Sequence, residues 1–177
     1  MLRVGQKDIV AYRELIGKHL NKGLRVAQRM LGNRSRQDAE DIMQEICLKI
    51  WNEAERWKPK AKFSTWLYRV IVNACIDHTR KVVPLAIVDM EAIVDESPAS
   101  DEVLMRENRS LRVEHALQKL PERQRAAIIL SYYEGVGNQE AADALGVQLG
   151  AFQQLLFRAK QNLKEELKDY LLEYKHG

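Results

Sequence analysis

DAEDIMQEICLKIWNEAERWKPKAKFSTWLYRVIVNACIDHTRK, residues 38–81, sets three segments of different character in a row. At 100° per residue Ala39, Ile42, Met43, Ile46, Cys47 and Ile50 fall within about 140° of arc, which gives a helix with one core-facing stripe. Opposite them lie Asp41, Gln44, Glu45 and Leu48. An apolar centre ringed by carboxylate and amide groups is the makeup of a protein-docking patch, and equally of a solvated helix face. The two carboxylates have neither a matching His nor a second acidic pair, so metal or acid–base chemistry is not indicated.

The loop that follows alternates Lys58, Lys60 and Lys62 around Pro59, between Trp57 and Phe63. Lysines alone are usually solubilising; interleaved with aromatic rings they combine phosphate attraction with stacking faces, which unpaired bases require. In the next helix Trp66, Leu67, Val70, Ile71 and Ala74 are expected to be buried, with Arg69, Asn73, Ile76 and Arg80 along another edge. Arginines there suit phosphates, and an asparagine between them suits a base edge.

Composition bounds these readings. The 177 residues are 46% hydrophobic and 30% charged, a globular balance sufficient for one or two modest cores. The net charge is only +3, but it is unevenly spread: residues 49–81 carry eight Lys or Arg against three acids, and residues 82–105 carry six acids and no Lys or Arg. Cys47 and Cys75 belong to helical stripes and have no CxxC partner, while His19, His78, His115 and His176 are scattered without ligand spacing. Neither zinc, disulfide, cofactor nor an enzyme's convergent cluster is expected. The N-terminus lacks the apolar run of a signal peptide or membrane span, so a cytoplasmic protein without membrane insertion is expected.

Helical periodicity recurs over residues 8–20, 22–31, 36–56 and 63–81, and again after an acidic stretch bracketed by Pro84 and Pro98. That stretch reads as a flexible tether, and no strand-like alternation appears. Near the C-terminus Ala142, Gly146, Phe152 and Leu155 have the spacing of a helix-turn-helix: a small residue at the helix crossing, a turn glycine four positions on, then apolar residues six and nine beyond it. Pro121 marks a helix start, and Ile128, Ile129 and Tyr132 are expected to back the motif.

DAEDIMQE followed by FSTWLYRVIVNACIDHTRK resembles region 2 of the sigma-70 family, in its small two-domain extracytoplasmic-function (ECF) group. Residues 113–167 resemble region 4. The resemblance implies an all-α protein: region 2 over 1–83, a flexible acidic linker over 84–107, and region 4 over 108–177. It implies a non-catalytic factor that carries core RNA polymerase to promoters, with Asp41, Gln44, Glu45 and Leu48 on the β′ clamp helices. The minus-ten element would then meet Lys58, Lys60, Lys62, Phe63, Ser64, Thr65, Arg69, Asn73, Arg80 and Lys81, with Asn73 in the pocket of a flipped base.

The minus-thirty-five element would meet Arg125, Gln148, Gln153, Gln154, Phe157, Arg158 and Lys160, with support from the β flap. Many relatives place Thr, Lys or Arg, Ser and Arg along the recognition helix where this chain has Ala151, Gln153, Gln154 and Leu155, so glutamine readout of adenine replaces some phosphate attraction. The linker would thread polymerase channels, and an anti-sigma factor anchored at Leu48, Leu156 and Phe157 would hold the protein inactive until a stress response. A stand-alone helix-turn-helix regulator explains the C-terminal half but leaves the basic, aromatic loop without a role.

Overall fold

A computed structural model describes residues 1–32, 36–58, 61–82 and 101–168, with side chains for all of these except 82 and 101–109. Every regular element among the described residues is helical. The first four are α1 (Leu2–Gly5), α2 (Ile9–Leu31), α3 (Arg36–Glu53, extended by a 3₁₀ turn over Ala54–Arg56) and α4 (Phe63–Val82). After the acidic stretch come α5 (Asp101–Lys119), α6 (Glu122–Ile128, continued by a π turn over Ile129–Tyr133), α7 (Asn138–Leu145) and α8 (Leu149–Glu166).

Asp8 starts α2 by accepting the Val10 and Ala11 amides at 3.0 and 2.9 Å, donors that would otherwise lack partners at a helix start. The expected break near residue 21 is absent, and α2 runs unbroken to Leu31. Gly23 serves packing instead: a Cβ there would lie 2.7 Å from Met43 Cε and 3.0 Å from Ile71 Cδ1, so its bareness lets α3 and α4 approach. α3 buries Ala39, Ile42, Met43, Ile46 and Ile50 as its periodicity predicts, with Cys47 only half-buried.

On α4 the buried set is Leu67, Tyr68, Ile71, Val72, Cys75 and Ile76, whereas Trp66, Val70 and Ala74 are half-buried. Ile76 therefore belongs to the core and not to the basic edge. The cause is that α4 packs against α2 and α3 on one side and α7 on another, so two faces are covered where a lone amphipathic helix would cover one.

In the C-terminal half, Ala142 and Phe152 are fully buried at the helix crossing and Leu155 is half-buried. Gly146 takes the left-handed conformation (φ 66°) that closes α7, and the Val147 amide reaches back to the Ala142 carbonyl at 3.0 Å. The expected helix-turn-helix is present. Tyr132, expected inside, is 58% exposed, because the π turn inserts an extra residue and rotates the ring outward beneath the Lys160 ammonium, 5.1 Å from its centroid.

The two halves share one continuous apolar core, from Val26 and Ile71 to Leu130, Ala142 and Phe152. Of the expected linker, 84–100 lies outside the described residues, and 101–107 forms the start of α5. Arg125 joins the halves. Only 7% exposed, it donates to the carbonyls of Leu117 (3.0 Å), Gln118 (2.6 Å) and Leu120 (3.1 Å) around the end of α5, and to Met30 near the end of α2. Gln118 accepts from the same guanidinium and donates to the Arg29 carbonyl at 2.9 Å. Arg125 thus satisfies the terminal carbonyls of two helices, and the minus-thirty-five contact expected of it is corrected: its donors are committed to the core.

Replacing Arg125 with methionine keeps the bulk but leaves these carbonyls without donors. Urea denaturation is expected to give a loss of about 3 kcal/mol, within the range for losing buried charged hydrogen bonds. A loss below about 1 kcal/mol, the worth of one ordinary hydrogen bond, would contradict the clamp.

Candidate polymerase and nucleic-acid interfaces

On α3, Asp41, Gln44, Glu45 and Leu48 all project away from the core, and Leu48 is 64% exposed. The Gln37 amide donates to Asp41 Oδ1 at 3.1 Å, which steadies one end of the face. The four residues form one patch.

The aromatic residues near the loop are knitted together. Trp57 meets Trp66 edge-on at 5.2 Å between ring centroids and Phe63 at 6.0 Å, and His19 meets Phe63 at 5.0 Å. Edge-to-face packing leaves half-buried rings beside a cavity of about 410 Å³ lined by Arg56, Lys58, Arg69 and Asp143 among others. Lys58, Asn73, Arg80 and Lys81 are exposed; Lys60 lies outside the described residues.

Four expected minus-ten residues already have partners in the C-terminal half. The Lys62 ammonium (3.4 Å) and the hydroxyls of Ser64 (2.8 Å) and Thr65 (3.1 Å) all donate to the Glu140 carboxylate, and Arg69 donates to the Asp143 carbonyl. Thr65 is buried. The Ser64 hydrogen bond, then those of Thr65 and Lys62, hold the Glu140 carboxyl below the usual carboxylate range against the opposing effect of desolvation.

Nearby, the Glu134 carboxylate, whose side chain is 3% exposed, lies 3.7 Å from Arg25 and 3.6 Å from Arg29. Sequence reasoning missed Glu134, Glu140 and Gln118. Each has a partner dozens of residues away, which no local spacing announces.

On α8, Gln153, Gln154, Phe157, Arg158 and Lys160 are exposed while Phe152, Leu156 and Ala159 are buried, with Gln148 exposed at the helix start. Leu156, expected as a partner anchor, is a core residue, so that expectation is corrected; Phe157 is exposed. Burial pushes the Cys75 thiol up to about 12, which keeps it protonated and unreactive. Among the described residues no His, Cys, Asp and Glu grouping could hold a metal ion, and no helix is long and apolar enough to cross a membrane.

The chain is thus all-α among the described residues, with an exposed leucine-centred face on α3, a basic edge on α4 beside an aromatic cluster, and a helix-turn-helix, the combination of a helical DNA-binding protein. A family model described as Sigma-70 region 2 matches residues 15–82, and one described as Sigma-70, region 4 matches residues 110–163. The chain is 31% identical over 156 residues to the ECF RNA polymerase sigma factor SigM of Mycobacterium tuberculosis, covering 88% of this chain and 76% of that protein.

It is 30% identical to ECF RNA polymerase sigma factor SigE of Mycolicibacterium smegmatis over 92% of this chain, and spans 63% of that protein's length. Against ECF RNA polymerase sigma factor SigW of Bacillus subtilis, identity is 27% with 94% of each chain covered. This chain belongs to the sigma-70 family, in its ECF group.

The fold is shared with CnrH, solved in complex with the cytosolic domain of CnrY (TM-score 0.69, 20% identity, 94% of each chain). It is shared also with RpoE, solved with the anti-sigma factor NepR from Bartonella quintana (TM-score 0.68, 22% identity, 89% of this chain and 97% of that one).

A carboxyl depressed by folded-state donors stabilises the fold above its unfolded pKa and loses that contribution as pH falls through its folded one. The stability gap between wild type and Glu140→Gln is therefore expected to be full at neutral pH and to close below the ordinary glutamate range. Urea titrations at several pH values measure it, and a gap independent of pH would contradict the carboxylate's role.

Proposed function

We propose that this protein is a promoter-specificity subunit without catalysis of its own: it binds core RNA polymerase, brings it to promoters and opens the DNA at the minus-ten element. In this reading the α3 face of Asp41, Gln44, Glu45 and Leu48 docks on the β′ clamp helices. Lys58, Lys60, Lys62, Phe63, Ser64, Thr65, Arg69, Asn73, Arg80 and Lys81 receive the melted minus-ten strand. Gln148, Gln153, Gln154, Phe157, Arg158 and Lys160 read the minus-thirty-five element in the major groove, with the β flap supporting region 4. Arg125 takes no part in DNA contact.

The observation that carries the reading is an exposed leucine within a carboxylate and amide ring on α3, on the same chain as two separate cation-bearing helix edges. A docking hot spot has that makeup, and one protein with both duplex and single-strand surfaces suits open-complex formation.

Work is placed in the cytoplasm, where polymerase and promoters are. An anti-sigma factor is the expected antagonist, since proteins of shared fold are solved with partners of that kind. Its apolar anchors would compete with the polymerase at Leu48 and cover Phe157, both exposed.

The double substitution Asp41→Arg with Leu48→Glu is expected to leave helicity unchanged and to weaken core-polymerase binding by about tenfold or more, the scale of losing an interface hot spot. Circular dichroism and fluorescence-detected binding on the same samples decide it. Normal affinity in a folded double variant would remove α3 from the interface.

Asn73→Ala separates binding from melting. Permanganate reactivity of minus-ten thymines is expected to fall and its sequence preference to broaden, with core-polymerase affinity near normal. Undiminished reactivity across promoter variants would reduce Asn73 to a solvated helix residue.

A further inference from the structure

Met1 lines the cavity of about 410 Å³ together with Trp57, Lys58, Trp66 and Arg69. It leads into α1, and α1 packs on the 3₁₀ turn over Ala54–Arg56 that directly precedes Trp57. We infer that α1 is a positioning element for DNA melting: it fixes the Ala54–Arg56 turn, and the turn sets Trp57 in the cavity wall that the melted strand meets. This rests on the proposed minus-ten role of the residues from Lys58 to Thr65, and it gives a part to residues 1–7, which have none in that reading.

Gly5 makes the closest approach. A Cβ on it would stand 2.7 Å from the Ala54 carbonyl oxygen, 3.1 Å from the carbonyl carbon and 3.2 Å from Glu55 Cα. These are backbone atoms, which cannot swing aside as a side chain does, so the absence of a Cβ is what lets the two backbones meet. The same Ala54 oxygen accepts the Trp57 amide at 3.2 Å. A displacement of that oxygen therefore carries Trp57 with it. Trp57 meets Trp66 and Phe63 edge-on at 5.2 and 6.0 Å between ring centroids, so the shift spreads to the aromatic group that flanks the basic loop.

A helix of four residues has no stability of its own, and α1 is held by what it touches. Val4 is fully buried and forms with Ala11 and Ala54 a small core apart from the large one, while Met1 packs against both. Arg3 donates twice to Asp8, at 3.0 and 2.7 Å, which ties α1 to the cap of α2. Beyond the other end of α1, Lys7 takes a left-handed backbone conformation (φ 62°), uncommon for a residue with a side chain. Strain of this kind persists only where surrounding contacts over-determine it. Here the Lys7 ammonium lies 3.2 Å from the Glu55 carboxylate of the turn and 5.3 Å from the centroid of the Trp51 ring.

The test compares two glycine-to-alanine substitutions in holoenzyme made from the full chain and core polymerase. Gly5 is helical, so alanine there meets only the clash with Ala54; a Cβ at Gly17, on α2, meets nothing within 4 Å and is the matched control. Gly5→Ala is expected to slow the appearance of permanganate-reactive minus-ten thymines by about tenfold, in keeping with a misplacement of less than about 1 Å at a positioned site. Its core-polymerase affinity is expected to stay at wild type, and Gly17→Ala to match wild type in both readouts. Val4→Ala loosens the seat of α1 without pushing on Ala54, and is expected to act in the same direction as Gly5→Ala. Fluorine NMR of the free protein carrying 5-fluorotryptophan, with the Trp57 resonance assigned by Trp57→Phe, reads the route directly. That resonance is expected to move in Gly5→Ala and Val4→Ala and to stay in place in Gly17→Ala.

Normal melting in Gly5→Ala and Val4→Ala, with Asn73→Ala impaired, overturns the role of α1 and leaves the minus-ten reading standing. Normal melting in all three removes the minus-ten reading itself and the role of α1 with it. A fall in core-polymerase affinity equal to the fall in melting reduces the effect to a general loss of structure and overturns the inference. Slowed melting with an unmoved Trp57 resonance overturns it too.

Discussion

The guanidinium of Arg125 is the constraint on which the arrangement of this protein depends. Helices α2 and α5 end near one another, one from each half, and each presents terminal carbonyls that no amide of its own helix can satisfy. In an apolar setting such orphans cost about 1–3 kcal/mol each. A planar cation with a fixed fork of donors can serve several at once, which a lysine ammonium on its flexible stem does far less well. Arg125 does so from the second turn of α6, fixing where α6 leaves the bundle and thus where the π turn and α7 lie. Burial lowers its pKa, yet an arginine so placed stays charged, as its acceptors require.

With α6 fixed, α4 becomes an element shared between halves. One side packs on α2 and α3, where Gly23 permits close approach; another receives α7. Tyr68 records the second contact, because burial and the nearby carboxylates of Glu134 and Glu140 raise its pKa. Cys75 lies deep in the same shared core, where burial raises its pKa against the opposing influence of Arg125. What remains of α4 for solvent is a narrow strip with Asn73, Arg80 and Lys81. Arg69 is also on the surface but is tied to region 4.

Features fixed by local spacing were legible in the sequence. The α3 stripe, the Asp41 to Leu48 face, and the Ala142, Gly146 and Phe152 punctuation all follow from a 3.6-residue period or one left-handed turn. Features set by long-range packing were not. Arg125 looks like any cation on an amphipathic helix until the carbonyls of Met30 and Leu117 are brought to it. Ile76 falls on the basic edge of a helix considered alone, and is buried because a second layer arrives. Tyr132 is turned outward by a π turn that has no sequence signature. Glu140, in the first turn of α7, has no local signature, and only the fold brings Lys62, Ser64 and Thr65 to its carboxylate.

Region 4 packs against region 2 in this fold, through Glu140 on Ser64 and Thr65 and through Arg125 on the Met30 carbonyl, and these contacts must part if the two halves are to meet separate promoter elements. Pulsed electron resonance between spin labels at Lys49 on α3 and Lys164 on α8, both exposed, measures the separation of the halves directly. Separation of the halves on binding gives a single short distance in the free protein and a markedly longer one in the polymerase–promoter complex. The same distance in both states would contradict it.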